Sequence, residues 1–205
     1  MMQVAFATPP RLDRCDRQSV WAYYQRAWNL EDRLWQSLVG DAPFYLNPDP
    51  LRNLLIFYLG HSAVFYINKL IRVGLIQKRL HPDYEALFAL GVDPEKPAEI
   101  AGKFAQLRSA EVAPVWQYRQ AVYHRIADLI DHTDFTAPVT PHHPLWALMM
   151  AIEHQYIHVE TSSVLLRQLP VEMLSHPEGW EYLPGEGYTC LNELVPVAGG
   201  TVHLG

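Results

Sequence analysis

Apolar residues recur at helical spacing in two long segments of the first half of the chain. Between residues 16 and 39 they fall every three or four positions, and Gly40 is placed to end the helix. Residues 51–73 are apolar on nearly every face, which is typical of a helix packed among several others, and Gly74 follows as its end. The pattern therefore predicts two long helices, the second of them buried.

Two further helical segments follow a long connection. Residues 75–110 have a weak pattern with a short helical piece at 84–90, so we expect a crossover there. Helical spacing returns over 114–132 and again over 145–169. Four long helices with a long second-to-third connection predict an all-α four-helix bundle, a fold whose interior commonly hosts metals.

The C-terminal tail differs in kind from these helices. Helix breakers follow Pro170, and alternating residues around Gly199 and Gly200 predict a short β-hairpin. A lone hairpin is only marginally stable in water, so we expect it to open a β-rich domain that the chain does not contain. We accordingly divide the chain into a helical metal-binding domain, residues 1–170, and a linker with the opening strands of an absent domain, residues 171–205.

Composition and charge exclude several classes of function. The 16 basic and 22 acidic residues give a net charge of -6 and form no basic cluster, which argues against a nucleic-acid partner. The two cysteines, Cys15 and Cys190, fit no disulfide or thiolate zinc pattern, which favours a reducing, cytoplasmic location. No secretory signal pattern opens the chain, and polar side chains interrupt the most apolar segment, residues 54–70, so we expect no membrane association.

Two histidines of the fourth predicted helix are candidate metal ligands. His154 and His158 stand at positions i and i+4, so they project from one face within reach of a single ion. Ala151 and Leu165 share that face, which points the pair inward. Chance alone is expected to give roughly half of one i, i+4 histidine pair in a chain of this length and histidine content. The pair by itself is therefore weak evidence, and the alternative interpretation is two core histidines held by hydrogen bonds.

A third candidate lies in the buried second helix. His61 has apolar neighbours, among which an imidazole needs a polar partner, and Gly60 and Ala63 allow another helix to approach closely. Three neutral imidazoles leave open positions on a divalent metal, as catalysis requires. The residues thus predict a metal site formed by His61, His154 and His158, although iron, zinc and nickel all accept such ligands.

Two segments of the chain carry a resemblance to a known enzyme family. They are LIFYLGHSAVFYINKL at 55–70 and EHQYIHVETSSVLLRQLP at 153–170, supported by GVD at 91–93 and GGTVHLG at 199–205. Over nearly its whole length the chain resembles the 5-histidylcysteine sulfoxide synthases, which form ovothiol. It is similar, less closely, to the ergothioneine-forming sulfoxide synthases, and both resemblances imply that the helical bundle is DinB-like.

The resemblance also implies a cofactor and a reaction. These enzymes hold a non-haem ferrous ion, Fe²⁺, by three histidines that map onto His61, His154 and His158. They use oxygen to join the sulfur of cysteine to an imidazole carbon of histidine or a histidine derivative. The family enzymes continue into a sulfatase-modifying-factor-like domain that supplies much of the substrate pocket. That domain would be the absent one here, or a separate partner chain, and we expect the present chain alone to be poorly active.

Two alternative functions stay open at the level of the sequence. A free-standing DinB-like thiol transferase would use a divalent metal to activate a small thiol without oxygen. A non-catalytic helical module would instead dock its exposed C-terminal strands on a separate β-rich partner chain, because unpaired strand edges are templates for pairing.

Overall fold

The computed structural model describes residues 8–89, 97–177, 193–196 and 198–201, and these residues contain six α-helices. The helices are α1 (Arg17–Trp35), α2 (Leu55–Arg72), α3 (Pro82–Leu87), α4 (Pro97–Ser109), α5 (Val112–His132) and α6 (Leu145–Leu166). Two short 3-10 turns, Ala42–Tyr45 and Val171–Met173, complete the regular structure of the described residues.

The four long helices pack in a ring. Helix α1 contacts α5 and α6, and α2 contacts the same two helices, so that α1 and α2 lie diagonally across the bundle. Buried side chains from all four helices form one core, and α2 is buried on most of its surface, as its continuous apolar pattern predicts. The predicted all-α bundle is confirmed for the residues that the structure describes.

Two predicted helix boundaries are wrong, one for a local reason and the other because of a long-range contact. Helix α2 begins at Leu55 because residues 49–52 form a turn in which the Asp49 carboxylate accepts a bond from the Leu51 amide, 2.8 Å long. Helix α1 ends at Trp35, well before Gly40, because residues 37–39 leave the helix to pair with residues 173–175. Gly74 does close α2, with a φ of 78° that suits glycine.

Helix α4 is absent from the sequence-based prediction, which assigned a crossover to this part of the chain. Among its described side chains, residues 102–109, Leu107 alone is fully buried. Ile100, Phe104 and Leu107 do recur at helical spacing, i, i+4 and i+7, but no other apolar residue larger than alanine extends this stripe, so the signal is much weaker than in the four long helices. The short helix expected at 84–90 is present as α3, displaced by two or three residues.

The start of the tail is joined to the end of α1. The Val39 amide donates to the Met173 carbonyl at 2.9 Å, and the Ser175 amide donates to the Ser37 carbonyl at 2.7 Å. The predicted β-hairpin lies only partly within the described residues, and its described parts, 195–196 and 198–201, form no strand. No described helix combines the length and the apolar character that crossing a membrane requires.

The N-terminus of α1 is fixed by a reciprocal cap. The Asp16 side chain accepts a bond from the Ser19 amide at 2.8 Å, and the Ser19 hydroxyl accepts one from the Asp16 amide at 3.2 Å. Two of the amides that a helix start leaves without partners are thereby satisfied.

We expect Asp16→Ala to lower the free energy of unfolding by about 1 kcal/mol, because it removes one half of this cap. Urea unfolding measures the change. Asp41→Ala is the matched control, since Asp41 precedes a 3-10 turn without a side-chain capping bond and its loss should cost almost nothing. Equal effects of the two substitutions would contradict a role for the cap.

Candidate metal centre

Helix α2 delivers the first histidine of the site. Its sequence is apolar enough to be buried on all sides, so a polar side chain in its middle is enclosed by the bundle. The imidazole of His61 is 9% exposed and faces α6, where it lies against two other imidazoles.

Helix α6 delivers the other two histidines. His154 and His158 stand one turn apart and project toward α2, and the side chain of His158 is 8% exposed. Their Nε2 atoms lie 3.1 Å from each other. The i, i+4 spacing of the pair thus brings both nitrogens within reach of a single ion.

The structure brings all three predicted residues together. The ring centroid of His61 lies 5.2 Å from that of His154 and 4.8 Å from that of His158, and the latter two are 4.4 Å apart. One nitrogen of each imidazole lies within 4.8 Å of the others. A group of three histidines this close can hold a metal ion.

A backbone carbonyl fixes the tautomer of His61. Nδ1 of His61 lies 2.6 Å from the carbonyl oxygen of Phe88, which follows α3. A carbonyl only accepts hydrogen bonds, so Nδ1 carries the proton and Nε2 presents its lone pair to the other histidines. Metal-binding histidines commonly make such a bond with their second nitrogen, because it orients the ring.

Burial keeps the three imidazoles neutral. It lowers the pKa of His154 to about 3, with smaller contributions from the neighbouring imidazoles, and it lowers the pKa of His158 to about 3. Burial also lowers the pKa of His61, and the bond to Phe88 opposes part of that effect. Neutral imidazole is the form that binds a metal, so the enclosure favours the ligand state.

Two phenylalanine rings form walls of the site. Phe65 stacks on His154 with ring centroids 3.6 Å apart and planes 9° apart, and Phe57 stacks on His61 at 4.8 Å. These contacts restrict rotation of the imidazoles and exclude water from their faces. His61 is therefore held both from the side and through its Nδ1, and His154 is held from the side.

Two ammonium groups lie just beyond these phenylalanine walls. Lys69 Nζ is 5.0 Å from the centroid of the Phe65 ring, and Lys103 Nζ is 5.0 Å from that of Phe57. Both lysines are partly exposed. Positive charge beside a neutral cluster favours the approach of an anionic group, such as the carboxylate of an amino acid.

The spacing of the two ligand nitrogens of α6 fits a first-row metal. Bonds from imidazole nitrogen to such ions are about 2.0–2.1 Å long, so two nitrogens at angles between a right angle and a tetrahedral angle stand about 2.8–3.4 Å apart. The observed 3.1 Å between the two Nε2 atoms of α6 lies in this range. The Nδ1 atoms of His154 and His158 are buried and have no hydrogen-bond partner among the described residues.

Two other potential ligand residues near the histidines of α6 lie apart from the cluster. Glu160, two residues past His158, points to another side of α6, is exposed and belongs to no group of described residues that could hold a metal ion. His143 accepts a bond from the Leu145 amide at 3.1 Å and so caps the start of α6.

Sequence reasoning missed two contributors to the site. The Phe88 carbonyl is a backbone group, which has no signature in the amino-acid sequence. Lys103 lies on α4, the helix that was not predicted. Lys69 is one of the polar residues that interrupt the apolar segment 54–70, and a cation one turn beyond an aromatic residue on the same helix is a usable signal.

No protein-family model matches the chain. Among curated proteins the chain has a distant similarity to ergothioneine biosynthesis protein 1 of Neurospora crassa, with 24% identity over 162 residues. The alignment covers 78% of this chain and 17% of that protein, so the chain spans less than a fifth of the length of its relative.

Proposed function

We propose that this chain is the iron-binding, DinB-like domain of an oxygen-dependent sulfoxide synthase that joins cysteine sulfur to a histidine imidazole. The convergence of His61 with His154 and His158 on one point between α2 and α6 carries this proposal. The similarity to a protein of ergothioneine biosynthesis supports the class of reaction, thiohistidine formation of the ergothioneine or ovothiol type.

His61, His154 and His158 would hold Fe²⁺, and three neutral nitrogen ligands leave positions for thiol and oxygen. When bound, the ion supplies the redox chemistry and a common point of attachment for both reactants. The chain's own residues supply orientation. The Phe88 carbonyl keeps the proton of His61 on Nδ1, and Phe57 and Phe65 hold the rings and exclude water.

The lysines beside the site suit amino-acid substrates. Lys69 and Lys103 place positive charge over the phenylalanine rings that stack on His154 and His61, and such charge attracts a carboxylate. Cysteine and histidine, or a histidine derivative, each carry such a carboxylate.

We further propose that residues 1–170 act as the metal-binding domain and that residues 171–205 lead toward a sulfatase-modifying-factor-like domain or partner chain. The greater length of the Neurospora relative supports a longer functional unit. In this proposal the second unit completes the substrate pocket.

Anaerobic titration with Fe²⁺ tests the metal site. We expect the purified chain to bind one ferrous ion, and His154→Ala and His158→Ala to weaken that binding at least tenfold, because each removes one of three ligands. His124→Ala is the matched control, since His124 is an exposed histidine of α5 outside the cluster, and it should bind like the wild type. A wild type without iron affinity, or ligand variants that bind as tightly as the control, would refute the proposal.

A further inference from the structure

A buried polar cluster lies at the centre of the bundle, beside the metal centre. Glu31 of α1 is fully buried, and one of its oxygens, Oε2, accepts three bonds. The donors are the Ser62 hydroxyl at 2.8 Å, the Gln155 amide nitrogen at 2.8 Å and the Arg119 guanidinium at 3.1 Å. A single carboxylate oxygen thus joins all four long helices.

Two of the three donors are sequence neighbours of the proposed ligands. Ser62 follows His61 on α2, and Gln155 follows His154 on α6. The two helices that carry the histidines therefore bond to the same oxygen atom, each through the residue that follows a proposed ligand. Gln155 is itself held by the Tyr66 hydroxyl, which donates to its side-chain oxygen at 2.8 Å.

Arg119 holds the carboxylate in turn. Its guanidinium is 1% exposed and donates to the Leu59 carbonyl at 2.8 Å, the Ser62 hydroxyl at 2.9 Å and the Asp32 carboxylate at 2.6 Å. The side chain of Arg119 is thereby fixed to α1 and α2 at once. Glu31 consequently sits between rigid partners and has little freedom to move.

A buried ion pair is a weak source of stability, because the cost of desolvation offsets most of the attraction. Its best-attested use is to select one register between packed helices. Register is critical here, since a shift of one residue along a helix moves a side chain by about 1.5 Å and turns it by about 100°. Metal ligands must be placed to within about 0.2 Å.

We infer that Glu31 is a positioning residue for the metal centre, which sets the spacing of the histidines of α2 and α6 by binding Ser62 and Gln155 through one oxygen. This inference rests on the proposed function, because it requires the three histidines to bind a metal. It assigns a role to a carboxylate that touches none of the ligands itself.

The test compares two carboxylates of the same ion-pair network. Glu31→Met removes the shared acceptor with little change in size, whereas Asp32→Leu removes the other carboxylate of Arg119 and touches neither Ser62 nor Gln155. Glu31→Gln keeps an oxygen acceptor in place. Co²⁺ serves as the probe, because its visible absorption spectrum reports the arrangement of its ligands independently of protein stability.

We expect Glu31→Met to weaken Co²⁺ affinity by about 10-fold to 100-fold, as loss of a group that orients ligands commonly does, and to change the Co²⁺ spectrum. Asp32→Leu should keep the wild-type affinity and spectrum, and Glu31→Gln should recover most of both. If Glu31→Met does not fold, Ser62→Ala removes one of the two links and should show a smaller loss in the same direction.

Three results would count against the inference, and they are distinguishable. If the wild type binds Co²⁺ and both Glu31→Met and Ser62→Ala bind it with unchanged affinity and spectrum, the cluster is only structural and the metal site stands. If Asp32→Leu shifts the Co²⁺ spectrum as much as Glu31→Met, the ion-pair network as a whole arranges the histidines, and the specific role of the Glu31 bonds to Ser62 and Gln155 is refuted. If the wild type itself binds neither Co²⁺ nor Fe²⁺, the proposed function fails together with the inference.

Discussion

Replacing Arg119 by methionine is expected to lower the free energy of unfolding by about 3 to 5 kcal/mol, because it strands the fully buried Glu31 carboxylate without its cation. Methionine has a similar length and flexibility, so the loss of packing is small. Arg119 also donates to the Leu59 carbonyl at 2.8 Å, an acceptor that would lose a partner in the interior. Denaturant unfolding in the presence of a metal chelator measures the change without a contribution from bound ions.

A double-mutant cycle separates the ion pair from packing. Glu31→Met removes the stranded charge. The double variant Glu31→Met with Arg119→Met should therefore lose less unfolding free energy than the two single variants together, by about 0.5 to 3 kcal/mol. Strictly additive losses would show that the two side chains do not depend on each other, and the cost of Arg119→Met would then not come from a stranded carboxylate.

The second large effect is expected at Gly60. A Cβ atom at this position would lie 2.6 to 2.8 Å from three ring carbons of Phe88, a side chain that is completely buried. Gly60→Ala should therefore cost about 1 to 3 kcal/mol by overpacking, although alanine is the better helix former by about 1 kcal/mol. Displacement of Phe88 also moves the carbonyl that orients His61, so we expect Fe²⁺ affinity to fall by about 10-fold to 100-fold.

Helix α4 offers a matched control for this substitution. Gly102 lies in that helix, is exposed, and has open space where a Cβ atom would be added. Gly102→Ala should stabilise the protein by about 0.5 to 1 kcal/mol and leave iron affinity unchanged. Combining Gly60→Ala with Phe88→Leu should restore part of the stability that Gly60→Ala loses. If Gly60→Ala alone leaves the free energy of unfolding unchanged, the steric argument is contradicted.

The bundle itself could be predicted from the sequence because its four long helices bury wide apolar faces. Periodicity reports such faces directly, and α1, α2, α5 and α6 all overlap the segments in which it was found. Helix ends were less predictable, since the end of α1 depends on pairing between residues 37–39 and 173–175. That contact is long-range, and no local pattern encodes it.

The candidate ligands were also accessible to sequence reasoning, in part through a family resemblance. The i, i+4 pair is a property of one helix, whereas the meeting of His61 with that pair depends on which helices are neighbours in the ring. The identity of the ion and the reaction stay predictions, and titrations with Fe²⁺ and Co²⁺ test the first of them.

The central polar cluster was overlooked, although it left a trace. Glu31 and Arg119 each occupy a position of the apolar stripe of their helix, four residues from Ala27 and Val115 respectively. A charged residue in an apolar stripe is the informative exception to hydrophobic burial. Two such exceptions of opposite sign in one sequence indicate a buried pair, and a search for such pairs would have found this one.

The ring order of the helices also governs how the chain matures during synthesis. Helix α6 is the last long helix among the residues that the structure describes, and it packs against both α1 and α2. Until it leaves the ribosome, the apolar faces that it covers stay open, and the histidine cluster lacks two members. Translation at about 5–20 residues per second spends roughly two to seven seconds between the ends of α5 and α6. During that interval the apolar faces of α1 and α2 stay uncovered, so we expect chaperone binding to be strongest just before the three histidines can meet.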